Sequence, residues 1–205
     1  MNVQLRTPEC PTTQAAEGLP RRKWTLTEIE GLAKQGVFGG VDRERERFEL
    51  VGGEIVPMSP KGSWHENVKR ALNIHWVKAL PAEIDVLTET TLRAGPHDFR
   101  EPDFGFWPSS VTVVQLRPEH VLFLVEVSDS SLAYDMDRKA DYYASLGIPD
   151  YWVIDARRLV TRIHRQPQEK GYAQVSDHPR TELMTPLHIS ALTVVLADLG
   201  LLPSD

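Results

Sequence analysis

Hydrophobic residues recur at helical spacing in three stretches of the chain. The spacing predicts helices over residues 24–38, 63–80 and 135–146. Thr25 and Glu28 have the spacing of a capping box near the start of the first helix. Each helix is long enough to cover part of a sheet with its apolar side.

The other apolar runs are typical of β-strands. Gly52 and Gly53 separate two short runs, FELV and EIVPM, which predicts a β-hairpin. The run VLFLVEV is the most apolar in the chain and predicts a central strand buried on both faces. Further strands are expected at residues 84–93, 103–107, 151–155 and 159–166, with one or two more between 172 and 202.

Helices and strands alternate, but hairpins interrupt the alternation. This order favours an α/β fold with a central mixed β-sheet flanked by helices over a purely parallel sheet. Residues 21–205 are expected to form a single domain, since 205 residues suit one domain with an appendage. Residues 1–20 are rich in Pro, Thr, Gln and Ala without hydrophobic periodicity, and we interpret them as a disordered leader.

Composition narrows the range of functions. No apolar run approaches the roughly 20 residues that span a bilayer, and the start of the chain lacks a secretory signal. We therefore expect no membrane association and a cytoplasmic location. Cys10 is the single cysteine, so an internal disulfide or thiolate metal cluster is excluded. The net charge of -6 argues against a broad basic surface, but a site that gathers carboxylates for metal ions is itself acidic.

Glu126 is the only charged residue in the central apolar run. Successive side chains of a strand alternate between faces, so Glu126 shares a face with Leu122 and Leu124. A carboxylate there needs a partner, because burial of an unpaired charge costs several kcal/mol. The partner is either an ion-pairing or hydrogen-bonding group or a metal ion.

Asp103 precedes another short apolar strand and can supply a second carboxylate. By itself it is most often an aspartate at a strand edge or in a turn. Together with Glu126, it allows two carboxylates on neighbouring strands to converge on one cation. Mg²⁺ favours oxygen ligands of this kind, with water or phosphate filling its other positions.

Lys139 lies on the helix that follows the central strand. It is four residues before Tyr143, so the two side chains are neighbours on the helix surface. If the helix packs beside the strand, Lys139 can reach Glu126. It is also four residues after Asp135, so a surface ion pair between these two explains the spacing equally well.

Several motifs in a fixed order resemble a known family. The order is FELVGGEIVPMSP, His65, EPD, LVEVSDSS, DRKADYY and GIPDYWVID, and it is similar to the Uma family of restriction endonucleases in the PD-(D/E)XK nuclease superfamily. The resemblance covers roughly residues 22–200. It implies a nuclease-like α/β core with Asp103 as the motif aspartate and Glu126 as the motif acid.

The resemblance also assigns roles outside the two central carboxylates. Ser128 occupies the position of the usual superfamily lysine, and Lys139 on the next helix matches the lysine of this family. The N-terminal acid of the motif corresponds to Glu49 or Glu54. His65 matches a recurring family position near the site, although an ordinary histidine at a helix start is an equal alternative.

These residues imply a metal-dependent endonuclease that hydrolyses phosphodiester bonds in DNA. Mg²⁺ or Mn²⁺ would bind Asp103, Glu126 and the Val127 carbonyl, and Lys139 would position water or neutralise charge. Tyr143 or His65 would orient Lys139 or contact phosphate. A homodimer would suit a two-strand cut, and no organic cofactor is expected. The candidate contacts to the DNA backbone, each also a plausible solvated charge, are Lys61, Lys69, Arg70, Arg157, Arg158, Arg162 and Arg165.

Two other classes of function compete with this one. A catalytically inactive binding or interaction protein could keep the nuclease fold, since fold does not determine function. A zinc hydrolase is disfavoured because the histidines lack metal-ligand spacing. Neither a G-x-S-x-G elbow nor a phosphate-binding G-x-x-x-x-G-K motif occurs in the chain.

Overall fold

The computed structural model describes residues 22–38, 47–58 and 60–204. The predicted leader at residues 1–20 lies outside the described residues, as does most of the charged stretch that precedes the first strand. The helices are α1 (Leu26–Lys34), α2 (Ser63–Ala79), α3 (Leu132–Tyr134) and α4 (Ala140–Ser145). A π-helical turn, Asp135–Lys139, joins α3 to α4 without a break.

Ten strands form two sheets in the described part of the chain. They are β1 (Phe48–Val51), β2 (Glu54–Pro57), β3 (Ile84–Leu87), β4 (Leu92–Gly95), β5 (Asp98–Arg100), β6 (Phe104–Pro108), β7 (Phe123–Ser128), β8 (Asp150–Asp155), β9 (Val160–Pro167) and β10 (Tyr172–His178). The larger sheet has the order β10-β9-β8-β7-β6-β3, and the smaller has the order β2-β1-β5-β4. Only the β7–β8 pair of the larger sheet is parallel, so the predicted mixed sheet is confirmed.

The larger sheet is covered by helices on both faces. On one face, α2 buries Trp76, whose ring makes edge contacts with Phe104, Phe106 and Phe123 at centroid distances of 5.2, 5.5 and 5.9 Å. On the other face, α4 buries Tyr143 beside Leu124 of β7. All six residues of β7 are buried, as the apolar run predicts. The core thus fixes the central strand rigidly between two helical layers.

Several predicted elements are confirmed with adjusted ends. The capping box of Thr25 is present, with its hydroxyl accepting from the Glu28 N–H at 3.2 Å and its N–H donating to the Glu28 carboxylate at 2.9 Å. The hairpin turns at Gly52 and Gly53, both with positive φ. The helical segment begins at Leu132, three residues before the predicted start.

The single strand predicted over residues 84–93 is wrong. The segment divides into β3 in the larger sheet and β4 in the smaller sheet, separated by a turn that contains Glu89 at φ 58°. The turn carries none of the Gly, Pro or Asn residues that usually mark one, and its threonines favour strands. The chain therefore changes sheets without a sequence signal.

No helix among the described residues has the length and apolar character needed to cross a membrane.

His164 on β9 is a buried base with an unsatisfied nitrogen. It is 3% exposed, and its Nδ1 has no hydrogen-bond partner. Its ring contacts the rings of Tyr151 and Tyr172, at centroid distances of 5.3 and 5.5 Å. Burial, with a smaller effect from the charge of Arg162, lowers the pKa of His164.

We predict that this histidine lowers the stability of the folded protein at mildly acidic pH. The unfolded chain binds a proton here below about pH 6.5, whereas the folded protein does so only at lower pH. The free energy of unfolding should therefore fall as the pH drops through 6.5, by up to about 1.4 kcal/mol per pH unit. His164→Phe should remove this component in urea unfolding between pH 7 and 5. Equal slopes for both proteins would contradict the assignment.

Candidate active site

A cleft with a volume of about 310 Å³ lies at the meeting point of the two sheets. Two predicted carboxylates, Asp103 and Glu126, line it, and so do Val127 and Lys139. From the smaller sheet and α2, Glu49 and His65 also line the cleft. Four elements and the residue before β6 therefore contribute to one cavity.

Asp103 and Glu126 are brought together by the register of two antiparallel strands. Asp103 immediately precedes β6, and Phe104 of β6 pairs with Val125 of β7. The next position along this register places Asp103 opposite Glu126. Asp103 Oδ2 accepts a hydrogen bond from the Val127 N–H at 2.9 Å, which fixes the carboxylate at the strand end. Both side chains are buried, with residue exposures of 5% and 4%.

His65 in the first turn of α2 contacts the other side of Asp103. Its Nε2 lies 3.0 Å from both oxygens of the Asp103 carboxylate, and its Nδ1 lies 3.0 Å from Glu66 Oε1. Burial opposes ionisation, but the hydrogen bonds and charge of His65 and the Val127 N–H lower the pKa of Asp103. Asp103 is therefore an anion, and His65 helps to orient it.

Lys139 is the cation at the centre of the site. Its Nζ donates to Glu126 Oε1 at 3.0 Å and lies 3.3 Å from Glu49 Oε1 and 3.5 Å from Asp135 Oδ1. The two alternatives for this lysine, contact with Glu126 or with Asp135, are both realised in one buried cluster. Since Lys139 is only 7% exposed, it is not a surface lysine.

Tyr143 supports Glu126 from below the cleft. Its hydroxyl donates to Glu126 Oε1 at 3.2 Å, and the side chain is fully buried on α4. Tyr143 does not line the cleft, so the expectation that it could contact phosphate is corrected to a positioning role. Burial raises the pKa of its hydroxyl well above the usual value, so it stays a donor.

Of the two candidates for the N-terminal acid, Glu49 belongs to the site and Glu54 does not line the cleft. Glu49 on β1 accepts a hydrogen bond from the Glu101 N–H at 3.2 Å and lies within reach of Lys139. Glu54 lies at the other end of the hairpin pairing, opposite Val51 beside the turn.

Electrostatics in the cleft favour the arrival of another cation. Burial, together with the nearby charges of Asp135, Asp103 and Glu49, raises the pKa of Glu126 to about 8 in spite of Lys139. The surrounding carboxylates raise the pKa of Lys139, which stays charged. Three acidic side chains lie within 3.5 Å of the buried Lys139 ammonium, and Asp103 lies opposite Glu126 on the neighbouring strand, so acidic groups outnumber the lysine at this point.

The donor set suits a hard cation that needs few protein ligands. In residues 22–38, 47–58 and 60–204, no three His, Cys, Asp or Glu side chains stand in position to hold a metal ion. Mg²⁺ needs only one or two carboxylates when water and phosphate complete its shell. Asp103 and Glu126 can supply these oxygens, provided that Glu126 exchanges part of its contact with Lys139. A Mg²⁺ or Mn²⁺ ion therefore fits the residues present.

The predicted basic residues differ in their distance from the cleft. Lys61 and Lys69 lie beside the site, 3.4 and 3.8 Å from Asp103 Oδ1. Arg157 pairs at 2.6 Å with Asp129, which lines the cleft, whereas Arg162 and Arg165 pair with Asp177 and Asp150, which do not. Neither Arg70 nor Arg158 lines the cleft.

Sequence reasoning missed three acids at or near the cleft. Glu101 and Asp129 line it, and their places in the EPD and LVEVSDSS motifs were signals that could have identified them. Glu89 contacts both Lys61 and Lys69 from the unpredicted turn after β3. No sequence signal marks Glu89, because its position depends on the division of one apparent strand into two.

A family model identifies the class of fold that this site belongs to. Residues 33–197 match the Uma2 family, described as "Putative restriction endonuclease". The match spans most of the chain, and the protein belongs to this family. The resemblance seen in the sequence motifs is thereby confirmed.

One solved structure supports the fold. The protein is similar to a "putative nuclease belonging to DUF820" from Anabaena variabilis, with a TM-score of 0.59, 15% identity, and coverage of 85% of this chain and 96% of that chain. A match to the type IIG restriction endonuclease BpuSI has a TM-score of 0.36 and 18% identity, covering 58% of this chain and 14% of that chain. No curated protein matches the chain in sequence. The fold is restriction-endonuclease-like.

We predict that Lys139 stabilises the fold through its buried carboxylates. Lys139→Met should lower the free energy of unfolding by about 3 kcal/mol, because it leaves buried charges without a counter-ion. Adding Glu49→Gln should recover part of this loss, since it removes a buried carboxylate that lies 3.3 Å from the Lys139 ammonium. Exposed Lys78→Met on α2 is the matched control and should change stability by less than about 0.5 kcal/mol in urea unfolding. If Lys139→Met behaves like the control, the buried cluster is incorrect.

Proposed function

We propose that the protein is an endonuclease that hydrolyses phosphodiester bonds in DNA and depends on Mg²⁺ or Mn²⁺. The observation that carries this proposal is the pairing of Asp103 with Glu126 across β6 and β7, with Lys139 3.0 Å from Glu126. Two carboxylates and one lysine at the end of a central strand are suited to phosphoryl chemistry. Membership in the Uma2 family and the fold support the same class of reaction.

In this proposal Asp103 and Glu126 hold the cation, and the Val127 carbonyl is a further candidate ligand. The cation supplies Lewis-acid stabilisation of the phosphate and a lowered pKa for attacking water. Asp103 is positioned for this role by the Val127 N–H at 2.9 Å and by His65 at 3.0 Å. Tyr143 fixes the Glu126 carboxylate from the buried side at 3.2 Å.

Lys139 contributes a fixed positive charge to the reaction. Its pKa is raised, so it acts as a cation and not as a base. From its position beside Glu126, the ammonium can hold the attacking water or neutralise charge that develops on the phosphate. Glu49 and Asp135 keep it in place at 3.3 and 3.5 Å. The site therefore needs no lysine at the Ser128 position.

Metal binding and DNA cleavage should depend on the same two carboxylates. Wild-type protein should bind Mn²⁺ in calorimetry and nick plasmid DNA when Mg²⁺ or Mn²⁺ is present. Asp103→Asn and Glu126→Gln should each weaken metal binding and reduce cleavage on the order of a hundredfold or more. Glu119→Gln is the matched control, because Glu119 is exposed and precedes the opposite end of β7, and it should leave both properties intact.

Absence of metal binding in the wild type would contradict the proposal. The nuclease fold would then serve a non-catalytic binding or interaction role. Metal binding without DNA cleavage would contradict the enzymatic part alone.

A further inference from the structure

A single carboxylate beside the cleft is surrounded by three cations. Glu89 Oε1 accepts from the ammonium groups of both Lys61 and Lys69, and Glu89 Oε2 lies 2.9 Å from Arg47 Nη2. Arg47, which also pairs with Glu101 at 3.0 Å, immediately precedes β1, Lys61 precedes α2, and Lys69 lies on α2. Three separate parts of the chain thus direct positive charge at one point.

This point adjoins the proposed metal site. Lys61 Nζ lies 3.4 Å and Lys69 Nζ 3.8 Å from Oδ1 of Asp103. Lys61 also lines the cleft. A group bound between the two lysines would therefore lie next to a group held by Asp103. Adjacent phosphates of a nucleic-acid backbone have this kind of arrangement, with one at the reacting centre and others beside it.

The two lysines are largely withdrawn from solvent. Their side chains are 19% and 11% exposed, whereas the Glu89 side chain is 32% exposed. Like charges held this close need an anion between them. Burial alone would raise the pKa of Glu89, but hydrogen bonds from Lys61 and Lys69 lower it to about 2, so the carboxylate is ionised. The more exposed Glu89 carboxylate therefore neutralises the less exposed Lys61 and Lys69 ammonium groups.

The backbone at Glu89 is held in an unfavourable conformation. Its φ is 58°, in the left-handed region, which costs roughly 1 kcal/mol or more for a residue with a side chain. The Glu89 N–H donates to the Pro102 carbonyl at 3.1 Å, which anchors the turn beside Asp103. The contacts of the carboxylate with its three cations offset this strain, and they would be lost if the side chain left.

A backbone phosphodiester is a close chemical substitute for this carboxylate. Each carries one negative charge and two oxygens that can accept from ammonium and guanidinium groups. We propose that Lys61, Lys69 and Arg47 form a subsite for a DNA backbone phosphate, and that Glu89 occupies this subsite until the phosphate displaces it. The inference rests on the proposed function for its ligand, DNA.

Glu89 then acts as an internal competitor of DNA. A protein with a net charge of -6 already repels a polyanion, and an occupied phosphate subsite weakens non-specific binding further. Without DNA, the Glu89 carboxylate takes the place of the phosphate and holds the Lys61 and Lys69 ammonium groups in position. DNA binding needs only the Glu89 side chain, which is more exposed than either lysine, to move.

The test is DNA affinity in the absence of metal, measured by fluorescence anisotropy of a labelled 20-base-pair duplex in EDTA over a salt series. Glu89→Gln should tighten binding roughly tenfold at low salt, because the ion pairs no longer have to be broken. Its log–log salt slope should steepen by about one. Glu119→Gln, with the same change of charge away from the cleft, should tighten binding less than about twofold. Adding Lys69→Met to Glu89→Gln should abolish the gain.

If Glu89→Gln does not fold, a comparison of two lysine variants tests the same inference. In the wild-type background, Lys69→Met should weaken binding several-fold, and Lys78→Met on the exposed side of the same helix should have the smaller effect of a general charge loss. Equal effects of Glu89→Gln and Glu119→Gln, equal effects of the two lysine variants, or no DNA binding by any variant would each overturn the inference.

The two proposals can fail separately. Metal-dependent cleavage by the wild type with an unchanged Glu89→Gln affinity would sustain the endonuclease and remove the phosphate subsite. Tighter DNA binding by Glu89→Gln, without DNA cleavage by the wild type, would sustain the phosphate subsite and remove the endonuclease.

Discussion

A carboxylate buried in the central strand of the sheet is the constraint around which this protein is organised. Glu126 lies in a strand of which every residue is buried, between two layers of helices. An unpaired charge in this position would cost several kcal/mol. The fold therefore has to bring Lys139 to within 3.0 Å and Tyr143 to within 3.2 Å of the same oxygen.

The helical segment that follows the strand brings Lys139 to Glu126 through a π-helical turn. Lys139 ends a π-helical turn that begins at Asp135, between two short α-helical pieces. The wider turn is an arrangement often found at functional sites. Asp135 accepts from the Ser131 hydroxyl at 2.5 Å and from Ser128, the residue at the usual lysine position. A serine there supports the acid that holds the displaced lysine.

The remaining parts of the cleft are brought in by the two sheets. β6 and β7 place Asp103 opposite Glu126, and the smaller sheet brings Glu49 to within 3.3 Å of Lys139. His65 arrives from the first turn of α2, whose later turns are held by the aromatic core around Trp76. Packing of the two core layers thus determines the geometry of the polar cluster between them.

The sequence predicts the parts of this arrangement that depend on local patterns. The apolar run around Glu126, the strand start at Asp103 and the helical spacing of Lys139 and Tyr143 were sufficient to predict four residues that the structure brings together. The choice between Glu49 and Glu54 needed the register of the hairpin, which places only Glu49 at the cleft.

Long-range pairing could not be predicted from the same patterns. Glu89 lies in a turn of threonines that resembles a strand, and its partners come from segments far away in the chain. The spacing of residues also left open whether Lys139 contacts Glu126 or Asp135. In the structure it contacts both, in one buried cluster. Contacts of this type depend on how sheets and helices meet, and no periodicity of hydrophobic residues encodes them.

We propose that the carboxylates of Asp103 and Glu126 hold a divalent cation. Crystals soaked in Mn²⁺ and measured for its anomalous scattering test this directly. The proposed cation site predicts an anomalous peak in the cleft, within about 2.5 Å of oxygens from both carboxylates, with the Lys139 ammonium moved away from the shared Glu126 oxygen. A cleft without a peak, with Lys139 still bonded to Glu126, would contradict it.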